Sequence, residues 1–232
     1  MASGIAREDD GTEPLDEGDR DFGLQCLERG LAALCIEQRS FGERREKHQA
    51  MVRPHGCEDA TMHALMLGRT LAGERVFDVE RGVDYLETRP EIDAGRIGVM
   101  GNSGGGTVSI YAAALLERIR FALPSCSFCT FAASFMNIGH CTDNYIPDIL
   151  QYGEHADVLG LAAPKPLVVV AGNQDPIFPL DGTLQAFGDL KKIYQANNAA
   201  ENCQLVVAEG GHRFYAQQAW PPLLQLIEGR KL

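Results

Sequence analysis

The chain is predicted to fold as an α/β structure on a mostly parallel sheet flanked by helices, and three observations predict it. Short apolar runs of the buried-strand kind alternate with helix-patterned stretches: 96–100, Phe121-Ala122-Leu123, Pro166 to Val170, and Cys203 to Val207. The first of these runs leads straight into Gly101-Asn102-Ser103-Gly104-Gly105-Gly106, which contains G-x-S-x-G and is followed by the small-residue stretch Thr107 to Leu116. Finally, Asp175 and His212 each stand five residues beyond a later run, ending at Val170 and Val207 respectively. In a parallel sheet, positions just past the strands' carboxyl ends share one rim, where ligands bind.

Taken in order, residues 1–15 are acidic, contain Gly and show no periodicity, as expected of a loop or frayed terminus. Phe22, Leu24, Cys26 and Leu27 lie at helical spacing, with Gly30 as the stop. Leu31 to Ile36 is a continuous apolar run, predicted as a buried strand, and the charged stretch 37–56 reads as a loop with a turn at Phe41-Gly42. Thr61 to Leu71 and Val76 to Leu86 are predicted helices separated at Gly73, the second stopped by Pro90. Strand 96–100, the glycine-rich turn with its helix, and the strand at Phe121 come next. Residues 125–163 form a long excursion rich in Cys, His, Asn, Tyr and Asp. Regular alternation then resumes with strand Pro166 to Val170, helix 182–195, strand Cys203 to Val207 and helix 214–228. No internal repeat or low-complexity tract interrupts the pattern, so residues 1–232 are expected to form one domain, with 125–163 as a partial cap.

Composition narrows the function classes. A formal net charge of −11 argues against nucleic acid or an anionic membrane surface as partner. No apolar run approaches the ~18 residues of a membrane span, and the N-terminus lacks a basic stretch followed by an apolar core. The seven cysteines are an odd number. Cys35 and Cys203 sit in strand-like runs and read as buried thiols, while Cys126-x-x-Cys129 has no second pair to complete a zinc site. A reducing cytoplasm is the expected setting.

The chemistry centres on Ser103. Strand, sharp turn and helix in succession are the setting of a nucleophile elbow, in which the serine hydroxyl projects above the sheet. A glycine-rich turn there could instead cradle a phosphate, although the Walker pattern is absent because no Lys follows the glycines. A serine hydroxyl needs a base within hydrogen-bond reach and an acid to orient that base. Asp175 and His212 follow Ser103 in the order Ser…Asp…His on later strand ends. Other readings remain open: Asp175 before Pro176 as a turn residue, His212 as a helix-start residue, and Asp181 or Glu209 as rival acids. Of these rivals, Asp181 reads as the N-cap of the following helix. His48, His55 and His63 precede the elbow and His155 lies in the excursion, whereas His140 beside Cys141 could line a pocket or be structural.

With these residues in view, the chain resembles the α/β-hydrolase superfamily, in its dienelactone-hydrolase-like and acetyl xylan esterase-like branch. The resemblance is carried by Gln38-Arg39-Ser40-Phe41-Gly42-Glu43-Arg44, Asp84 to Pro90, and Gly101 to Thr107. It continues through His140-Cys141, Asn144-Tyr145-Ile146-Pro147, Ala163 to Leu167, Asp175-Pro176-Ile177-Phe178-Pro179 and Gly210-Gly211-His212. It implies ester hydrolysis through an acyl-serine, with Ser103 as nucleophile, His212 as base, Asp175 orienting it, and no metal or organic cofactor; small acyl esters, acetyl above all, are the expected substrates. Asn102, His140, Tyr145 and Phe178 become candidates for the substrate pocket, with Phe128, Phe131, Phe135 and Ile138 as further apolar walls. The alternatives are a serine peptidase of the prolyl-oligopeptidase type, which shares elbow and residue order, and a catalytically weak binding protein of the same fold.

The resemblance is incomplete at the N-terminus. Gly104, following the nucleophile, supplies one oxyanion N–H, but the second normally comes from a loop after an earlier strand for which the chain has no counterpart. The α/β-hydrolase fold is therefore expected in an N-terminally reduced form. Strand 31–36 would either pair directly with 96–100, giving five strands, or leave an edge for a second copy to complete, and a homodimer is expected. Ser3-Gly4-Ile5 is a further candidate for the missing donor.

Overall fold

The computed structural model describes residue 19, residues 21–45 and residues 57–228. The expectations for residues 1–15, for Ser3-Gly4-Ile5, and for His48 and His55 lie outside the described residues.

Among the described residues four strands form one sheet in the order β1-β2-β3-β4. They are β1 (Gly98–Asn102), β2 (Phe121–Ser125), β3 (Leu167–Gly172) and β4 (Cys203–Ala208). Every neighbouring pair is parallel, in registers such as Met100 with Leu123 and Val169 with Leu205. The crossovers run through helices, as parallel pairing requires. In chain order the helices are α1 (Phe22–Glu28), α2 (Cys57–Met66), α3 (Leu71–Glu87), α4 (Gly104–Leu115), α5 (His155–Gly160), α6 (Leu180–Ala196) and α7 (Ala216–Ile227), of which α4, α5 and α6 lie between strands.

Alternation along β3 shows how the layers are built. Leu167 and Val169 face a core with Ile110 of α4, Leu159 of α5, and Leu190 and Tyr194 of α6. Val168 and Val170 face the opposite side, against Trp220 and Leu223 of α7. A strand buried on both faces needs apolar residues at every position, which is why β3 reads as an uninterrupted run. On the α7 face, α1 is fixed by a buried polar pair: the Trp220 indole N–H donates to Gln25 Oε1 at 2.8 Å. Leaving either group unpaired would cost about 1–3 kcal/mol.

Several boundaries differ from expectation. Gly73 lies inside α3, because Thr70 caps that helix by accepting from the Gly73 N–H at 3.0 Å. Asp181 is not an N-cap. Pro179 occupies that position and Asp181 sits in the first turn of α6, where a carboxylate suits the helix dipole.

The larger correction concerns 31–36. Among the described residues this segment has no ladder partner, and the sheet has four strands rather than five. Its course is set by α3 instead. The adjoining Arg39 forms a two-pronged bond to Asp78, with Nε and Nη2 each at 2.8 Å, and also pairs with Glu74. Ile36 packs against Gly82 of the same helix. Drawn onto α3, the segment leaves a cavity of about 1230 Å³ beside β1, lined among others by Leu31, Leu34, Ile36, Val99, Met100 and Phe121. Among the described residues β1 is therefore an edge strand, and the cavity is wide enough for water to meet its outward N–H and C=O groups. Among the described residues, no helix is long and apolar enough to cross a membrane.

Candidate active site

Ser103 sits between the last residue of β1 and the first of α4, at φ 56° and ψ −123°. A non-glycine residue in such a conformation costs about 1–3 kcal/mol and persists only where its surroundings enforce it. Its own N–H donates to Ser125 O at 2.9 Å, tying the turn to the end of β2. Gly101 is required by close approach: a Cβ there would lie 2.9 Å or less from the backbone of Gly105. Gly104 opens α4, so its N–H belongs to the helix's free first turn.

Two loops at the same rim hold the other residues. Beyond β3 and β4 they are laced together: Asn173 N–H donates to Ala208 O at 2.9 Å, Gln174 N–H to Gly210 O at 2.8 Å, and Gly210 N–H to Asn173 Oδ1 at 2.9 Å. Tyr215 Oη donates to Gly211 O at 2.7 Å. This lacing brings Asp175 and His212 together, with Nδ1 of His212 2.8 Å from Oδ2 of Asp175. Oδ1 accepts from the N–H groups of Ile177 and Phe178 at 2.8 and 3.1 Å. Burial pushes the Asp175 carboxyl up, but the His212 bond and charge and these two amides outweigh it, and the carboxyl titrates below its ordinary range. Because Asp175 accepts at Nδ1, that nitrogen carries the proton and Nε2 is left with its lone pair. Nε2 is buried and has no hydrogen-bond partner.

The four residues expected to line a pocket occupy different places. Phe178 is buried and stacks on the His212 ring at 5.9 Å and 15°. His140 stacks on Phe135 at 4.6 Å and meets Phe178 edge-on at 5.2 Å. Its Nε2 lies 2.9 Å from Ser134 Oγ, which in turn donates to Ile177 O at 2.6 Å, so His140 is the donor in the first contact. Burial, and secondly the nearby His212, push its pKa down, so it stands neutral beside the site. Tyr145 is half-exposed and donates to Phe135 O at 3.1 Å. Asn102 accepts from Ser125 Oγ at 2.8 Å and so braces the β1–β2 end. Of the expected apolar walls, Phe131 and Phe135 cluster with Phe178. Phe128 instead belongs to the main core with residues of α4 and α6, beside the fully buried His155.

Sequence reasoning missed two residues. Cys126, directly after β2, places its Sγ within 4.8 Å of Asp175 and His212 ligand atoms and donates to Arg213 O at 3.1 Å. Burial, and then the Asp175 charge, push its pKa up to about 12, so it is a neutral thiol packed behind the carboxylate. Gln38 reaches the elbow from the open side of β1. Its carboxamide lies 3.9 Å and 3.4 Å from where side chains on Gly104 and Gly105 would begin. Its Oε1 is buried without a partner. The only signal for it in the sequence was its place at the head of the 38–44 stretch.

Comparison with known proteins agrees with this architecture. Residues 63–223 match the prolyl oligopeptidase family. A provisionally named hydrolase of Bacillus subtilis (strain 168), YtaP, is 26 % identical over 194 residues, covering 82 % of this chain and 62 % of YtaP. Among solved structures, a provisionally named acetyl xylan esterase from Bacteroides fragilis NCTC 9343 superposes with a TM-score of 0.69 at 15 % identity, covering 90 % of this chain and 53 % of that one. A family 15 glucuronoyl esterase from Caldicellulosiruptor kristjansonii gives 0.60 at 19 % identity, covering 70 % and 51 %. The chain thus spans less than two thirds of each of these proteins. With a parallel sheet, a serine on a strained strand-to-helix turn, and a match running from α2 into α7, this chain belongs to the prolyl oligopeptidase family and has a reduced α/β-hydrolase fold.

Proposed function

We propose that this chain is a serine esterase acting on short-chain carboxylic esters, acetyl esters first, through an acyl-Ser103 intermediate. One observation carries the reading: the strained serine shares a sheet rim with an imidazole whose Nδ1 is held by a buried carboxylate and whose Nε2 is uncommitted. In this reading His212 Nε2 takes the Ser103 proton as the hydroxyl attacks the ester carbonyl. Asp175 keeps the imidazole in the right tautomer and stabilises its charged form. His212 then returns the proton to the leaving alcohol, and water repeats the cycle on the acyl-enzyme. The Gly104 N–H is one oxyanion donor. The Gln38 carboxamide, poised at the elbow glycines, is the proposed second, a part that side-chain amides can play. Short acyl groups are favoured because Phe131, Phe135, Phe178 and His140 pack on one another and leave a shallow wall. The seven free thiols suit a reducing cytoplasm.

The test is turnover of p-nitrophenyl acetate by the purified chain, abolished by a serine-directed fluorophosphonate and by Ser103→Ala. Retention of more than about a tenth of the activity by Ser103→Ala would refute the assignment, since removing the nucleophile of a well-studied serine hydrolase costs roughly 10⁶-fold. The family match favours a second reading, a serine peptidase. A peptide-amide substrate separates the two: cleavage of the amide at a rate rivalling the ester would favour the peptidase. Binding of esters without turnover would favour the non-catalytic alternative.

A further inference from the structure

A second reactive cluster lies away from the serine, where the excursion meets α2. Cys57, the first residue of α2, is buried, and Cys141, just after His140, is exposed. Their sulfurs and a carboxylate oxygen of Asp143 all lie within 4.8 Å of one another. The two segments are docked by an unbroken set of contacts: Thr142 Oγ1 bonds to Thr61 Oγ1 at 3.3 Å, and Thr61 Oγ1 donates to Cys57 O at 2.7 Å. Asp143 is buried and paired with the buried Arg75, whose guanidinium also donates to Arg39 O at 2.9 Å and stacks on Phe41. That cation argues against a metal reading, because the one carboxylate of the set is already paired with a guanidinium.

We propose that Cys141 and Cys57 form a peroxide-responsive dithiol, in which Cys141 is oxidised first and Cys57 closes a disulfide onto it. Exposure gives Cys141 access to hydrogen peroxide, and Asp143, within 4.8 Å of its sulfur, holds the Arg75 cation nearby, the setting in which a thiolate is favoured. The Cys57 hydrogen bond, and after it the Arg75 charge, bring the Cys141 thiol down to about 6, while the same coupling and burial push Cys57 up. The other thiols contrast: burial raises Cys26 and Cys129 to about 11, and Cys126 and Cys203 to about 12, and it raises Cys35 as well. In the first step the Cys141 sulfur attacks one peroxide oxygen. An S–O bond forms, the O–O bond breaks, and hydroxide leaves and takes up the thiol proton as water. In the second, the Cys57 sulfur attacks the sulfenic sulfur. The S–S bond forms, the S–O bond breaks, and the departing hydroxide takes the Cys57 proton as a second water. Two electrons pass from the thiol pair to one peroxide. The product ties the loop bearing His140 and Tyr145 to α2.

The experiment is native treatment of the full chain with graded hydrogen peroxide, followed by alkylation and peptide mass mapping, and it does not depend on what the serine hydrolyses. The expected result is loss of two thiols per chain, a linked peptide joining Cys57 to Cys141, and full reversal by dithiothreitol. In Cys57→Ser, dimedone should trap a sulfenic acid on Cys141. In Cys141→Ser, Cys57 should stay reduced. Survival of both thiols at peroxide levels that oxidise free cysteine would overturn the proposal, as would linkage of another pair such as Cys26 with Cys35.

Discussion

His155 should make this protein acid-labile in a way that a single substitution removes. The side chain is fully buried, stacked on Phe131 at 5.0 Å and flanked by Phe128 and Phe135 at 5.4 Å each. Nδ1 donates to Cys129 O at 3.2 Å, and Nε2 is buried without a partner, so the ring fits only as the neutral form. Burial lowers its pKa from 6.5 to about 4, against a smaller upward push from the Cys129 carbonyl. The folded value lies below the unfolded one, so between the two the unfolded chain binds more protons. Stability from this residue is therefore present above pH ~6.5 and is lost as pH falls toward ~4, below which the loss is complete. Going from pH 7 to pH 5, the unfolded imidazole becomes almost wholly protonated while the folded one stays mostly neutral, which costs about 2 kcal/mol. Urea unfolding followed by fluorescence of Trp220, the single and buried tryptophan, measures it. Carboxylates such as Asp175 also lose stability in acid, but equally in wild type and in His155→Gln. The variant, whatever its absolute stability, should lose about 2 kcal/mol less than wild type between pH 7 and pH 5. Equal losses in the two proteins would refute the reasoning.

Gln38→Ala should lower kcat on p-nitrophenyl acetate by about 10²–10³-fold with little change in KM, the cost of one oxyanion donor, and an unchanged kcat would remove Gln38 from the site. His212→Ala should match the loss in Ser103→Ala, with Asp175→Asn somewhat less affected, and additive losses in the double variant would show that the residues do not act as one unit. Across a series of p-nitrophenyl esters, acetyl and propionyl should be turned over best; a maximum at octanoyl or longer would contradict the shallow aromatic wall. Light scattering after size exclusion should find a two-fold dimer, since Leu34 is exposed and β1 has an open edge. A stable, active 25.3 kDa monomer at micromolar concentration would show that the chain manages that edge alone.

What the sequence revealed depended on whether the decisive contact was local. The strands at Leu123 and Val169 were legible because burial on both faces demands unbroken apolar runs, and those at Met100 and Leu205, though only partly buried, carry apolar runs as well. Asp175 and His212 were legible because chain order and distance from a strand end are linear properties. Leu31 to Ile36 carries the same apolar signature, yet pairing needs a neighbour at strand spacing, and Arg39 fastens the segment to Asp78 and Glu74 on α3 instead. That competition between ion pairs and a ladder lies 35 and 39 residues away in sequence and leaves no local mark. Gln38, Cys126 and the Cys57–Cys141 pair were hidden for the same reason: each gains its meaning from a residue distant along the chain.

The open side of β1 has a consequence for how the molecule comes apart. Cooperative units in a fold differ in stability, and a strand paired on one side only belongs to the weaker ones. Among the described residues two strands are of that kind, β1, which bears Ser103, and β4, from which His212 hangs, whereas Asp175 follows β3, which is paired on both sides. The proposed machinery is thus divided between the two margins of the sheet and its interior. Thermal fluctuation should therefore separate the serine from its partners before the helices and the inner strands let go. Inactivation and unfolding would then be distinct events, and whatever braces β1 would extend the working temperature without touching any reacting group.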